Sequence, residues 1–347
     1  MFSTLQLPTV FLQEELPEEA QIWSLLKALP LTHRRLSRSV DSLPSLEPGI
    51  VPGNRMDGSD HKLDLAAVHM TLHGRSIAGI YTSLQIPEAK LCFDCGTITP
   101  QSIRMPHLAL THGHMDHAGG VASYLGQRKL LRLGPTTIYA AEDLLPSIQS
   151  VVEIWERVQG NPYEVKYQAV RPGEYQELDG KLLLRPYPSV HSIPALGYTL
   201  CRTARKLKPE YKDLSGPEIA SRRRAGDEVS DPHIEHLVTF TGDSTIEGLL
   251  NDPIARSARV IISECSFYGD EDADPALRTN VQHAHAGRHT HIDDIIGNLD
   301  QFGCETLVLM HLSRKHTPEE AFAALESRLP AAWKDKVLLF HHGNRAI

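Results

Sequence analysis

Leu108-Ala109-Leu110-Thr111-His112-Gly113-His114-Met115-Asp116-His117-Ala118-Gly119-Gly120 is the stretch from which the rest of the chain can be read. An apolar run ends in H-x-H-x-D-H and passes into a helical pattern. In an extended segment alternate side chains point the same way, so His112 and His114 can grip one cation from one side. The turn into the helix then presents Asp116 and His117 toward a second position. Neutral imidazoles and a carboxylate are the donors that divalent zinc prefers. Gly119 and Gly120 let the helix approach the sheet closely. The ordinary alternative is a helix cap that happens to be polar, and it leaves this density of metal-competent side chains at a strand end unexplained.

One such motif cannot enclose two ions, and further ligands are expected at the ends of other strands. Three candidates lie in such places: His191 in PSVHS, Asp243 in FTGDS and His311 in LVLMHLS. In sheets of this kind the strand ends converge on one edge, where sites form. Each residue alone could be a helix cap or a loop histidine. Together, and in this order behind the first motif, they read as ligands.

The rest of the chain alternates short β-rich runs with helical ones from about Leu72 onward. Strands are expected at 76–86, 90–94, 107–111, 136–140, 164–170, 182–187, 196–202, 236–241, 259–263, 306–310 and 336–341. Helices are expected at 115–125, 146–158, 216–225, 245–250, 292–301 and 318–328, with Pro146 and Pro318 suited to first turns and Gly226 to a helix end. Such alternation implies a layered α/β architecture. Residues 1–66 read as an N-terminal extension, with a helix near Gln21–Leu29 and a Pro/Ser/Gly-rich stretch at Ser42–Asp60. Residues 67–347 read as the catalytic domain.

Composition narrows the function classes. The 347 residues are 41% hydrophobic and 22% charged, ordinary for a globular chain with a sizeable core. No apolar run approaches the ~20 residues of a membrane-spanning helix, so no membrane partner is expected. Met1–Glu15 lacks the basic start of a secretory signal, and the acids near the basic Thr32–Arg38 stretch argue against a transit peptide. Five cysteines do not make a disulfide framework, and Cys92 and Cys95, though spaced C-x-x-C, have no second pair for a zinc ribbon. A reduced, cytoplasmic location is the default expectation. The formal net charge of −8 excludes a broadly basic nucleic-acid surface, so RNA would have to meet a local patch. The 19 histidines are the more telling count, because several cluster where ligands are expected.

The order H-x-H-x-D-H, His, Asp, His is similar to hydrolases of the metallo-β-lactamase superfamily. Further stretches resemble ribonuclease Z, the tRNA 3′-processing endonuclease, in its short, plant-like form. These are Arg75-Ser-Ile-Ala-Gly79, Asp94 in FDCG, His191–Tyr198 (HSIPALGY), Leu207–Ile219 (LKPEYKDLSGPEI), Thr239–Ser244 (TFTGDS), Arg288–Ile295 (RHTHIDDI) and Met310–Thr317 (MHLSRKHT). The likeness spans roughly residues 70 to 330 and does not reach the extension. It implies an αββα sandwich of two mixed sheets flanked by helices. It implies two Zn²⁺ per subunit, one held by His112, His114 and His191, the other by Asp116, His117 and His311, with Asp243 bridging. It gives His289 the proton for the leaving group, and Asp94 and His291 supporting positions; on physical grounds Asp116, while ligating, is expected to accept the hydrogen bond of the nucleophile. At 291 many members carry Thr. Precursor tRNA or another phosphodiester is the implied substrate, and a homodimer the implied assembly.

Eight Lys and Arg residues between 202 and 224 face three acids, a local basic excess on an acidic chain. Arg205, Lys206, Lys208, Arg222, Arg223 and Arg224 are the RNA-contact candidates within it, and a solvated helix face is the ordinary alternative. A second small patch is Arg128, Lys129 and Arg132. Many family members carry a Gly/Pro/basic arm after the first motif, and Gly120–His191 leaves little room for one. Two other readings stay open: a phosphodiesterase or small-ester hydrolase on the same metal centre, and a catalytically inactive scaffold or RNA-binding protein.

Overall fold

Fifteen strands divide into two sheets in this computed structural model, which describes residues 61–270, 275–340 and 345–346. The first sheet runs in chain order: β1 (His61–Leu65), β2 (Met70–Ile77), β3 (Tyr81–Ile86), β4 (Leu91–Phe93), β5 (His107–Ala109), β6 (Thr136–Ala141) and β7 (Val165–Val170). β1 to β4 pair antiparallel and β4 to β7 parallel. The second sheet repeats the plan with β8 (Gln176–Glu177), β9 (Leu182–Ser189), β10 (Ala195–Leu207), β11 (Ser230–Phe240), β12 (Val260–Glu264), β13 (Thr306–Met310), β14 (Val337–Leu339) and β15 (Arg345–Ala346). Here β8 to β11 are antiparallel, β11 to β14 parallel, and β15 closes the edge antiparallel.

Period-two alternation places three apolar layers. Ala109, Tyr139, Val260, Ile262, Val308 and Met310 turn inward and join Leu72, Leu84, Phe93, Tyr198 and Phe240 in one core between the sheets. Their neighbours Leu108, Leu110, Ile138 and Ala140 turn outward onto the helices Val121–Leu130 and Leu145–Gln159. Ile261, Leu307 and Leu309 do the same on the other side, under Ile292–Ile296 and Pro318–Arg328. The result is the expected αββα sandwich. No helix among the described residues is long and apolar enough to cross a membrane.

Three expectations change. The run 76–86 is a hairpin rather than one strand, because Gly79 takes φ +68° and turns the chain between β2 and β3. The helix expected at 115–125 is two, Met115–Ala118 and Val121–Leu130, broken where the Gly120 N–H leaves the helix to donate to the Cys95 carbonyl at 2.7 Å. The boundary placed at residue 66 falls inside the sheet, since His61–Leu65 pairs with Met70–Gly74. The helix expected at Gln21–Leu29 and the Ser42–Asp60 stretch lie outside the described residues.

Two features position function. The carboxyl ends of β4, β5, β9, β11, β12 and β13 deliver Asp94, His112, His191, Asp243, Glu264 and His311 respectively. β10 and β11 outrun their neighbours: β9 pairs no further than Arg202, and β12 pairs only Val238–Phe240. The remainder, Thr203–Leu207 against Ser230–Ile234, carries the fully unburied helix Gly216–Arg224 at its tip. This chain therefore places its excursion between His191 and Asp243, not in the earlier interval.

Candidate metal centre

Each side chain at the carboxyl edge is held from behind. Asp94, at a left-handed φ of 55°, is fully buried and accepts hydrogen bonds from the Thr111 N–H (2.7 Å) and hydroxyl and from His117 Nδ1 (2.7 Å). The Thr111 hydroxyl lies 2.9 Å from His112 Nδ1, so one strand-end carboxylate orients two imidazoles. His191 donates from Nδ1 to the Arg288 carbonyl at 3.0 Å, and His311 Nδ1 faces the Ser266 hydroxyl at 3.0 Å. Asp116 accepts from the Gly79 N–H at 2.8 Å, which ties that turn to the cluster. Gly242, before Asp243, has φ +58° and lies so close to Thr111 that a Cβ would sit 2.7 Å from its side chain.

The side chains expected together from the sequence do meet. His112, His114, His191 and Asp243 bring ligand atoms within 4.8 Å of one another, and Asp116, His117, Asp243 and His311 do the same. Asp243 belongs to both sets through different oxygens. Its Oδ2 lies 4.0 Å from Nε2 of His112 and of His191. Its Oδ1 lies 3.1 Å from His117 Nε2 and 3.2 Å from His311 Nε2.

Hydrogen bonds cannot account for this packing. A neutral imidazole has one donor and one acceptor. The Nδ1 atoms of His112, His117, His191 and His311 are all engaged outward, so their Nε2 lone pairs point inward. His117 and His311 then face each other at 3.4 Å. His114 Nδ1 lies 3.0 Å from His112 Nε2 and 3.2 Å from His191 Nε2, and one proton cannot serve both. Asp243 Oδ1 is buried without a hydrogen-bond donor. Converging lone pairs and an orphaned carboxylate oxygen suit divalent cations, with the outward bonds fixing ring orientation. These two groups could each hold a metal ion.

Burial weighs against charge on His117, yet Asp243 and Asp94 lift its pKa well above the usual imidazole range, so its inner nitrogen favours a positive charge. Burial works against the Asp243 carboxylate, yet His117 and His311 hold it well below the usual range. Burial opposes ionisation of Asp116 as well, and His311 and His117 overcome it. Burial holds His191 low, and burial with His117 beside it does the same for His112, so both stay neutral and free to ligate.

Sequence reasoning missed Glu264. Fully buried at the end of β12, it accepts from the Ser244 N–H (2.6 Å), the Ser266 hydroxyl (2.7 Å) and His289 Nδ1 (3.0 Å). It thereby fixes His289 with Nε2 free and reaches the back of His311 through Ser266. Burial works against the charge on His289, but Glu264 more than offsets it and lifts the pKa to about 9. The available signal was a carboxylate directly after an apolar strand, the same signal that marked Asp243. His291 is held by backbone groups: its Nδ1 accepts from the Asp293 N–H and its Nε2 donates to the Gly269 carbonyl. Thr290, by its bond to the Ser244 carbonyl, is the residue that ties this loop to the Asp243 turn.

The basic candidates divide. Arg205 pairs with Glu228, Lys208 with Asp231 and Arg222 with Asp227, all near the tip of the long hairpin. Lys206, Arg223 and Arg224 form no ion pair among the described residues. Arg128 is buried and donates to the carbonyls of Ile103, Met105 and Leu133–Pro135, so it stitches a loop rather than facing a polyanion.

Comparison with known proteins places the chain. It is 31% identical over 265 residues to the chloroplastic tRNase Z TRZ2 of Arabidopsis thaliana, covering 75% of this chain and 73% of that one. The chain belongs to the ribonuclease Z family. A second relative, tRNase Z TRZ1 of the same plant, is 29% identical over 274 residues and covered over 95% of its length, against 78% of this chain. No family model matches the chain. Among solved structures it is similar to the metallo-β-lactamase fold protein YhfI of Bacillus subtilis, with TM-score 0.51, 15% identity, and coverage of 74% of this chain and 90% of that one. That likeness shows the fold. As a ribonuclease Z, the chain is a metal-dependent hydrolase of the endoribonuclease type.

Proposed function

We propose that this ribonuclease Z removes the 3′ trailer of precursor tRNA by endonucleolytic hydrolysis, on a centre of two zinc ions. His112, His114 and His191 would hold one ion, Asp116, His117 and His311 the other, and Asp243 would bridge them. The observation that carries this reading is Asp243, which offers one oxygen to each histidine set. Bound there, zinc would supply a nucleophile at neutral pH, by lowering the pKa of water from ~15.7 to ~7, and would offset the charge of the phosphate.

The chain's own groups do the rest. Asp116, partly exposed and tied to Gly79, is placed to accept the nucleophile's hydrogen bond and aim it. His289 carries a proton at neutral pH because Glu264 supports its charge, and its Nε2–H is the donor to the departing 3′ oxygen. Asp94 keeps His117, and through Thr111 His112, in the ligating tautomer. The long hairpin supplies Lys206, Arg223 and Arg224 for the phosphate backbone of the tRNA body, with Arg205, Lys208 and Arg222 partly neutralised by their own carboxylates. A homodimer fits the helix Leu145–Gln159, whose outer face bears Val151, Ile154, Trp155 and Val158, each about half exposed or more. A cytoplasmic location remains part of the proposal.

The experiment is to incubate the purified protein with a 3′-extended precursor tRNA and map both new ends. Cleavage just after the discriminator base, leaving a 3′ hydroxyl on the tRNA, is expected. Inert RNA together with rapid hydrolysis of a small ester or aryl phosphodiester would overturn the assignment in favour of a small-substrate hydrolase.

A further inference from the structure

Next to His289, and outside both ligand groups, lies a group of side chains that the reaction as described leaves unused. Phe267 is buried and sets its ring edge-on to two imidazoles, His289 at 6.2 Å and His283 at 5.1 Å between centroids. The Lys315 ammonium stands 5.6 Å over the same ring and donates to His283 Nε2 (3.0 Å) and to the Arg278 carbonyl (3.2 Å). No carboxylate pairs with Lys315 among the described residues, and burial and Arg278 both weigh against its charge. The lysine is nevertheless held in place. Its loop starts at His311 and is pinned one residue later by His316, whose Nε2 accepts the Tyr268 N–H at 3.0 Å. An ammonium held beside an imidazole and an arginine, with no carboxylate paired to it among the described residues, suits an anion.

Direction identifies the anion. The centre faces the phosphate being cleaved, and His289 faces the oxygen that departs. What lies beyond His289 therefore faces the nucleoside carrying that 3′ oxygen, whose next anionic group is the phosphate on its own 5′ side. We infer that Lys315, supported by His283 across Phe267, binds this 5′ phosphate and so selects a polynucleotide leaving strand over a small diester. The inference rests on the role given to His289 above. It makes Lys315 a specificity-determining residue, acting by charge on the strand that leaves.

The test uses two short RNA diesters that differ only in a 5′ phosphate on the leaving nucleoside, with kcat/KM measured for each by the same metal-loaded preparation. Wild-type protein is expected to prefer the phosphorylated substrate by about 10- to 100-fold, the worth of a charge-assisted contact. Lys315→Gln should bring that ratio close to one, and Lys315→Arg should restore most of it. Because the readout is a ratio within one preparation, partial misfolding of a variant lowers both rates and leaves it unmoved. Equal rates for the two substrates with wild-type protein, or a ratio that survives in Lys315→Gln, would overturn the inference. Failure to cleave either RNA, while precursor tRNA is cut at the expected position, would also overturn it. Failure on all three would instead sink the reading of the reaction on which it stands.

Discussion

His289 depends on a fully buried neighbour. Glu264 holds the imidazole by Nδ1, and its charge keeps the ring protonated against burial. His289→Ala should therefore retain metal and lose about 10²- to 10⁴-fold in rate on RNA. Glu264→Gln should keep the ring but lose the charge that supports it, with a smaller loss in the same direction. Metal analysis beside the kinetics checks both, and metal loss in step with activity would place His289 among the ligands instead. His316 offers a pH test away from the centre. Burial holds its pKa down to about 4, and its acceptor bond to Tyr268 needs the neutral ring. Between about pH 6.5 and 4 the unfolded chain thus binds the extra proton, so this contribution is whole above about 6.5 and is lost as pH falls through about 4. His316→Gln should flatten the fall of unfolding free energy across that window by up to ~3 kcal/mol relative to wild type. Parallel curves would contradict it. At this scale the convergence of the candidate ligands was legible because imidazoles and carboxylates at strand ends are rare and costly to bury. Glu264 was not, because a single acid after an apolar run does not reveal the distant histidine it serves.

Elements were legible where side-chain period and length agreed, as in the strand at 306–310 and the helix at 318–328, which the structure reproduces at the same bounds. Two of the misjudged elements share a cause: a glycine that answers to a distant partner. Gly79 turns a chain that otherwise reads as one strand, and its N–H is spent on Asp116. Gly120 breaks a helix to meet Cys95. The hairpin β10–β11 was underestimated because its outer residues are half-exposed and carry no apolar alternation to mark them. Its function is testable apart from the chemistry. Replacing Lys206, Arg223 and Arg224 together with Ala should raise KM for precursor tRNA and reduce the salt dependence of binding, while hydrolysis of an aryl phosphodiester stays as in wild type. An unchanged salt slope would remove the hairpin from the tRNA contact.

The described residues form two similar sheets, each with an antiparallel meander followed by parallel strands, facing each other across one core. Such an arrangement brings the carboxyl ends of β4, β5, β9, β11, β12 and β13 to a shared edge, which is why candidate ligands scattered from His112 to His311 can converge. The apolar outer face of Leu145–Gln159 belongs to this scale too. Replacing Ile154 and Trp155 with Glu should convert a dimer to a monomer in sedimentation velocity, and a wild-type protein that sediments as a monomer would remove that face as an interface. The centre itself is tested most directly by counting its metal. Elemental analysis of the purified protein and of Asp243→Ala should give about two zinc ions per chain in the first and close to one in the second. A full complement in Asp243→Ala, or no more than one ion in the wild type, would contradict a carboxylate shared between two metals.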